Sequence, residues 1–210
     1  MKFYKANNAV ANSSSLNKYH VIFYIIWIFS VITLLFTIIP AIIFIKGIFW
    51  GYKLKINIYS ATNEDYFALN TLVKEGHEEH VIEEPTVFKS VESVMPKSYF
   101  KELLKDNDSN IFIAKNSESV IGFAVISIES SPSFPSLVQR KYAYIHDFGV
   151  KKEIQKHGIG KLLFESCKEW AKARGALSIE LNVWDFNTNA IEFYKHLGME
   201  SISRKMKINV

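Results

Sequence analysis

The stretch Gln155-Lys156-His157-Gly158-Ile159-Gly160-Lys161 governs how the rest of this chain is read. It stands between an extended run ending at Val150 and a run of helical period. In that second run Ile159, Leu162, Leu163, Ser166, Cys167, Trp170 and Ala171 fall at i, i+3, i+4 and i+7. Glycines at such a junction let the backbone turn tightly and expose its N–H groups. The start of the helix adds unpaired donors and the positive end of the helix dipole. Together these suit a pyrophosphate, and Lys156 and Lys161 add positive charge. A Walker A loop is excluded because the first glycine is missing and Leu162 follows Lys161. A Rossmann fingerprint is excluded because Leu163 stands where a third glycine belongs.

Strands and helices alternate on both sides of this loop. Upstream, Lys55–Tyr59 reads as a strand. Thr62 and Asp65 have the spacing of a helix N-cap and an acidic first turn, ahead of Phe67, Leu69, Leu72 and Val73. Residues 76–97 read as irregular, broken by Pro85 and Pro96. Lys97–Lys105 reads as a short helix. Ile111–Lys115 and Val120–Glu129 read as strands around a polar turn at 116–119, and Tyr142–Val150 as another. Downstream, Gly175 occupies the position of a left-handed helix terminator. Ile179, Leu181 and Val183 alternate as a strand. Asn187 reads as the N-cap of a helix through His196, closed by Gly198. The tail from Met199 to Asn209 has the pattern of one or two terminal strands.

The pattern Q/R-x-x-G-x-G/A at 155–160 resembles the acyl-CoA loop of the GNAT N-acetyltransferase superfamily. A second segment supports the resemblance. Asn187-Thr188-Asn189-Ala190-Ile191-Glu192-Phe193-Tyr194, running on to Gly198-Met199, looks like the family's N-x-x-A-x-x-F-Y-x-x-x-G-F. The opening Ile58–Asp65 is similar to the family's first strand and turn. The likeness covers about residues 54–208 and none of 1–53.

The resemblance implies an α/β (α+β) fold, a mixed and mostly antiparallel twisted sheet flanked by helices. It implies acetyl-CoA as co-substrate, no metal, and a small-molecule or peptide amine as acceptor. The main chain of Phe148, Gly149 and Val150 would run along the pantetheine arm. The loop Gln155, Lys156, His157, Gly158, Ile159, Gly160 and Lys161 would hold the pyrophosphate. Asn187 would bond to the pantetheine. Tyr194 would stand near the sulfur as the acid for the leaving thiolate. Relatives often carry a glutamate on the strand matching 142–150. At the best-matched position this chain has His146, with Asp147 beside it, and His146 is the candidate base. A packed, carbonyl-bonded His146 is the other reading. A catalytically idle CoA-binding or interaction module is the alternative to the enzyme.

Charge divides the chain. Of its 210 residues, 1–53 hold five lysines and no arginine or acidic residue, whereas 54–210 sum to −1. The formal +4 therefore belongs to the N-terminal quarter, which excludes a nucleic-acid reading based on net charge. The single cysteine, Cys167, excludes an internal disulfide framework and a cysteine-rich zinc site. Tyr19 to Ile45 is an uncharged run of 27 residues. As a helix it would reach ~40 Å, more than the ~30 Å hydrocarbon core. Lys18 and Lys46 bracket it, with aromatic residues near both ends. The expected division is a polar tail (1–18), a transmembrane segment (19–50) and a catalytic domain (54–210). A misplaced start codon would instead leave the domain soluble and cytoplasmic. Lysines balance on the two sides of the run, so charge does not orient it. The cytosolic supply of acetyl-CoA places the domain in the cytoplasm. The acidic run Glu75–Glu84 reads as a solvated face rather than as an acceptor site. His77 and His80 lack a metal-binding motif. Oligomeric state is left open, a homodimer included.

Overall fold

The structure, a computed structural model, describes residues 23–34, 55–117 and 119–208. The chain divides into two units, residues 1–54 and 55–210. In the first, residues 23–33 are helical, with Phe23, Trp27 and Phe29 exposed. Among the described residues no helix is long and apolar enough to cross a membrane. The expected transmembrane segment lies largely outside the described residues.

The second unit is a five-stranded sheet between two helical layers. Strand β1 (Asn57–Ser60) is followed by a single 3₁₀ turn (Asn63–Asp65) and helix α1 (Tyr66–Glu83). Then come α2 (Lys97–Lys105), β2 (Ser109–Lys115), β3 (Val120–Ser130) and β4 (Lys141–Val150). A second 3₁₀ turn (Lys152–Ile154) leads to α3 (Ile159–Ala173), β5 (Ile179–Leu181) and α4 (Thr188–His196). The strands lie side by side in chain order. The first four pair antiparallel, and β5 joins β4 in parallel.

Period-two alternation along the central β3 sorts its side chains between the layers. Ala124 and Ile126 pack with Leu163 and Cys167 of α3. Phe123 and Val125 pack with Leu69 of α1 and Phe100 of α2. Both faces of β3 are covered, which accounts for its continuous apolar run.

Thr62 and Asp65 form the expected reciprocal cap, closing on the 3₁₀ turn that leads into α1. Three boundaries and the burial of two residues differ from expectation. Helix α1 continues through the acidic run to Glu83, because nothing before Pro85 stops it. Glu84, the residue before that proline, leaves helical geometry. Tyr66 rather than Phe67 turns into the core, and Leu162 of α3 is exposed. β5 ends at Leu181, so Val183 belongs to a loop. Residues 199–208 form no strand, and Ile202, Met206 and Ile208 are exposed. Alternating residues make a strand only where an edge accepts their backbone groups, and this tail pairs with none.

Candidate active site

The site begins where β4 loses a neighbour. β5 pairs with β4 at Ala143, Tyr144 and Ile145 and no further. Beyond that point β4 continues to Val150 against β3 alone. The β3 register shifts by one residue at this place: Val125 opposes Asp147, and Ile126 opposes Ile145, leaving His146 as the bulged residue. A bulge bends the strand and re-aims its side chains. Lys151 N–H bonds to the Ile121 carbonyl on the β3 side, at 2.9 Å. Alternation from there turns the N–H groups of Phe148 and Val150 to the open side. On that side Phe148 N–H donates to Asp147 Oδ1 (3.1 Å), and Gln155 Nε2 donates to the Val150 carbonyl (3.0 Å).

The glycine loop follows. Lys156 has φ +64°, the one positive value for a non-glycine residue among those described. Gly158, at φ +82°, is the N-cap of α3 and supplies no side chain to close it. Successive backbone N–H groups in such alternating geometry make an anion-binding concavity. His157 turns back into the loop, its Nδ1 donating to the carbonyls of Gln155 (2.8 Å) and Ile154 (3.2 Å). The Ile159 side chain is buried in the core, so this residue can offer a ligand only its main chain. A Cβ on Gly160 would lie 3.0 Å from Phe193 Cζ. The bare Cα thus lets α4 close over the first turn of α3. Lys156 and Lys161 are exposed at the mouth.

Helix α4 is fixed by Asn187, whose Oδ1 accepts the Ala190 N–H at 3.0 Å. It delivers Phe193 and Tyr194 against Phe148, with ring centroids 5.8 and 6.1 Å away. Burial, then the charges of Asp147 and Cys167, hold the Tyr194 phenol well above its ordinary range.

Asp147 stands beside His146 at the bulge. Burial lifts its carboxyl from 3.8 to about 6, opposed by the Phe148 N–H and by His80 and His77. Asp147 in turn raises Tyr99 of α2, after burial. Groups from α1, α2, β4 and α4 therefore share one electrostatic site. The signal in the sequence was the adjacent pair His146-Asp147, which the bulge sets side by side. His146 leans along the strand toward Ser127 and Tyr144. Its Nε2 lies 2.7 Å from Ser127 Oγ, which donates to Glu129 Oε1 at 2.8 Å. Its ring meets Tyr144 edge-on at 5.0 Å. Partial burial lowers its basicity, partly offset by Glu129.

The acidic run is partly engaged: Glu79 pairs with Lys152 (3.1 Å) and Glu78 accepts from Ser90 (2.7 Å). Cys167 is buried, its thiol pushed up to about 12, and stands apart from the chemistry. No cluster of three metal-ligating side chains occurs among the described residues.

A partly splayed sheet, an open strand edge and an uncapped helix start beside it leave backbone groups that suit an acyl-CoA ligand. Comparison with known proteins agrees: the acetyltransferase (GNAT) family pattern matches residues 74–199, and the chain belongs to that family. Enzymes of this family use acetyl-CoA as co-substrate. An uncharacterized N-acetyltransferase of Methanocaldococcus jannaschii is 34% identical over 102 residues, covering 49% of this chain and 44% of its own length. N-alpha-acetyltransferase 60 of Danio rerio is 31% identical over 116 residues, 48% of this chain and 47% of that protein. The chain thus spans less than half the length of these curated relatives. Among solved structures, a Bacillus halodurans protein shares 33% identity with a TM-score of 0.71, over 73% of this chain and 99% of that one. An aminoglycoside N-acetyltransferase crystallised with CoA matches in fold at 17% identity, with a TM-score of 0.56, over 74% and 94%.

Proposed function

We propose that this chain transfers an acetyl group from acetyl-CoA to a primary amine by direct attack in a ternary complex. The observation that carries the reading is the open edge of β4 beside the uncapped start of α3, with Tyr194 and Asp147 on the same cleft. The residues present fit the group. The left-handed Lys156 and Gly158 and the uncapped first turn of α3 make a cradle for a pyrophosphate. When bound there, acetyl-CoA supplies the activated thioester.

The backbone groups of Phe148 and Val150 meet the pantetheine amides along the open edge. The Asn187 amide, its oxygen engaged as a cap, has Nδ2 left for the same arm. Residues 155–161 hold the phosphates through main-chain N–H groups and the two lysines. The amine acceptor is an ammonium near pH 7 and must first lose a proton. We assign that proton to Asp147 in preference to His146, because Asp147 shares its environment with Tyr194 whereas His146 is bonded to Ser127. Tyr194 holds its proton firmly at neutral pH and gives it to the leaving sulfur.

Thiol release from acetyl-CoA, measured against a panel of amines, tests the reading. The expected result is turnover with at least one amine and a kcat about 100-fold lower in Tyr194→Phe, at unchanged affinity for CoA. CoA binding without turnover on any amine would favour the idle module.

The uncharged run 19–45 supports a membrane tether, and the exposed apolar side chains of the helical residues 23–33 fit that role. In this reading the catalytic domain faces the cytoplasm. Protease digestion of the domain from the outer face of intact spheroplasts would refute the orientation.

A further inference from the structure

The outer edge of β5 and the tail that follows α4 each lack a strand partner. β5 is the last strand of the sheet, with β4 on one side and no strand on the other among the described residues. Ala143 N–H bonds to the Ser178 carbonyl at 2.9 Å. Alternation from there turns the backbone groups of Ile179 and Leu181 away from β4, toward that outer edge. All three residues of β5 are half-buried, where an unpaired backbone group is costly. Beside the edge lies a cavity of about 590 Å³. Phe164 of α3, Leu177, Ile179, Leu181, Met199 and Ile202 supply its apolar walls.

The tail carries what such an edge would take. Ile202, Met206 and Ile208 are spaced by even steps and are 77%, 88% and 85% exposed. As a strand, the tail would set these three and Arg204 on one face, with Ser203, Lys205 and Lys207 on the other. β5 is divided the same way. Ile179 and Leu181 pack with the α3 side of the core, and Glu180, bonded to Arg140, stands on the opposite face. Pairing the two strands would bury the tail's apolar side chains and bring its lysines to the face of Glu180. The long stem of Arg204 can carry its charge out to water. The chain's own tail is badly placed to do this. Gly198, Met199, Glu200 and Ile202 already line the cavity, so residues 203–208 would have to reverse direction to enter it. Ser201 to Lys205 holds no Gly, Asn or Asp for the left-handed positions of a tight hairpin turn. A strand from another molecule needs no turn.

We propose that a second copy of this chain supplies the missing strand: residues 203–208 of one copy pair with the β5 edge of the other. Each copy has one edge and one tail, so two such contacts related by a two-fold axis close a dimer. The backbone groups of Ile179 and Leu181 provide the hydrogen bonds, as in other strand additions, and the cavity selects the apolar side chains. The exposed edge and the exposed apolar tail are covered in one step. The dimer does not depend on the acetyl-transfer reading, since none of these residues belongs to the CoA cleft.

Two measurements on the full-length chain test the dimer. In the first, two forms are co-expressed and treated with a carbodiimide, which joins amines to carboxylates without a spacer. One form carries Glu180→Gln and keeps the tail lysines. The other carries Lys205→Arg and Lys207→Arg and keeps Glu180. Neither can join its tail to its own Glu180. The expected product is a covalent dimer whose linked peptides, read by mass spectrometry, hold Glu180 of one form and Lys205 or Lys207 of the other. No such product overturns the proposal, and so does a wild-type chain in which the link forms only within one molecule. The second measurement is sedimentation in detergent of wild type and of Met206→Asp combined with Ile208→Asp. Both side chains are exposed in the single chain, so the substitutions leave its fold and its CoA affinity unchanged. The dissociation constant should rise about tenfold or more. A wild-type monomer, or a dimer whose dissociation constant ignores the two aspartates, overturns the tail as the contact and leaves acetyl transfer standing.

Discussion

Burial holds the Asp147 carboxyl at about 6 in the fold against an ordinary 3.8, so its protonated form is favoured in the folded state. Such a group stabilises fully below about pH 4, and that contribution is lost as pH rises through 6. At pH 7.5 the ionised carboxylate costs up to ~3 kcal/mol, the equivalent of the whole shift. Asp147→Asn should therefore raise the unfolding free energy by about 1–2 kcal/mol at pH 7.5, and by little at pH 4, in urea melts at the two pH values. The same change removes the proton acceptor, so kcat should fall about 100-fold while the protein becomes more stable. A gain in stability with a loss of rate separates a residue placed for chemistry from one placed for packing. His146 and Asp147 were both legible as candidates in the sequence. Their surroundings were not, because the one-residue bulge and the contact of His146 with Ser127 depend on the neighbouring strand.

At the scale of elements, two glycines make room for packed aromatic rings. A Cβ on Gly149 would come 2.6 Å from Phe123 Cε1, and that ring is buried and cannot swing aside. Gly149→Val should cost about 1–3 kcal/mol by overpacking, read as a lower denaturant midpoint. Gly160 presents a different case. A valine there would push Phe193 off the first turn of α3 without reaching the core, so CoA affinity should drop at least tenfold by calorimetry while the midpoint moves little. Asn187→Ala should remove about 1 kcal/mol through loss of the α4 cap. The helices α2, α3 and α4 were readable from their apolar spacing, with glycine stops after α3 and α4 and a capping asparagine before α4. The second half of α1 was not. Glu75–Glu84 offers no apolar face, and its helix is carried by continuity with Leu69, Leu72 and Val73 upstream.

At the scale of the whole molecule, the second unit matches nearly the full length of the Bacillus halodurans structure. A domain of that size folds alone there. Residues 55–210 expressed by themselves should thus bind CoA with the affinity of the full-length chain, as calorimetry would show. The full-length chain should partition with membranes and the shorter one should not; equal partitioning would remove the tether from the proposal. The net charge follows the same division, with the excess lysines flanking the apolar run and positive charge within the domain gathered at 156–161.

The sequence by itself determined the class of fold and the position of the glycine loop between β4 and α3. Both rest on local chemistry: glycines where the backbone must turn left-handed, a capping asparagine, and apolar residues at helical or alternating spacing. Tertiary structure alone decided the rest. Where β5 leaves β4, and the bulge that sets His146 against Ser127, both depend on contacts between segments distant in the chain. Local residue preferences carry no record of such contacts. They are set when the sheet twists, bulges and packs its helices, and the groups available for proton transfer are those that this packing brings together.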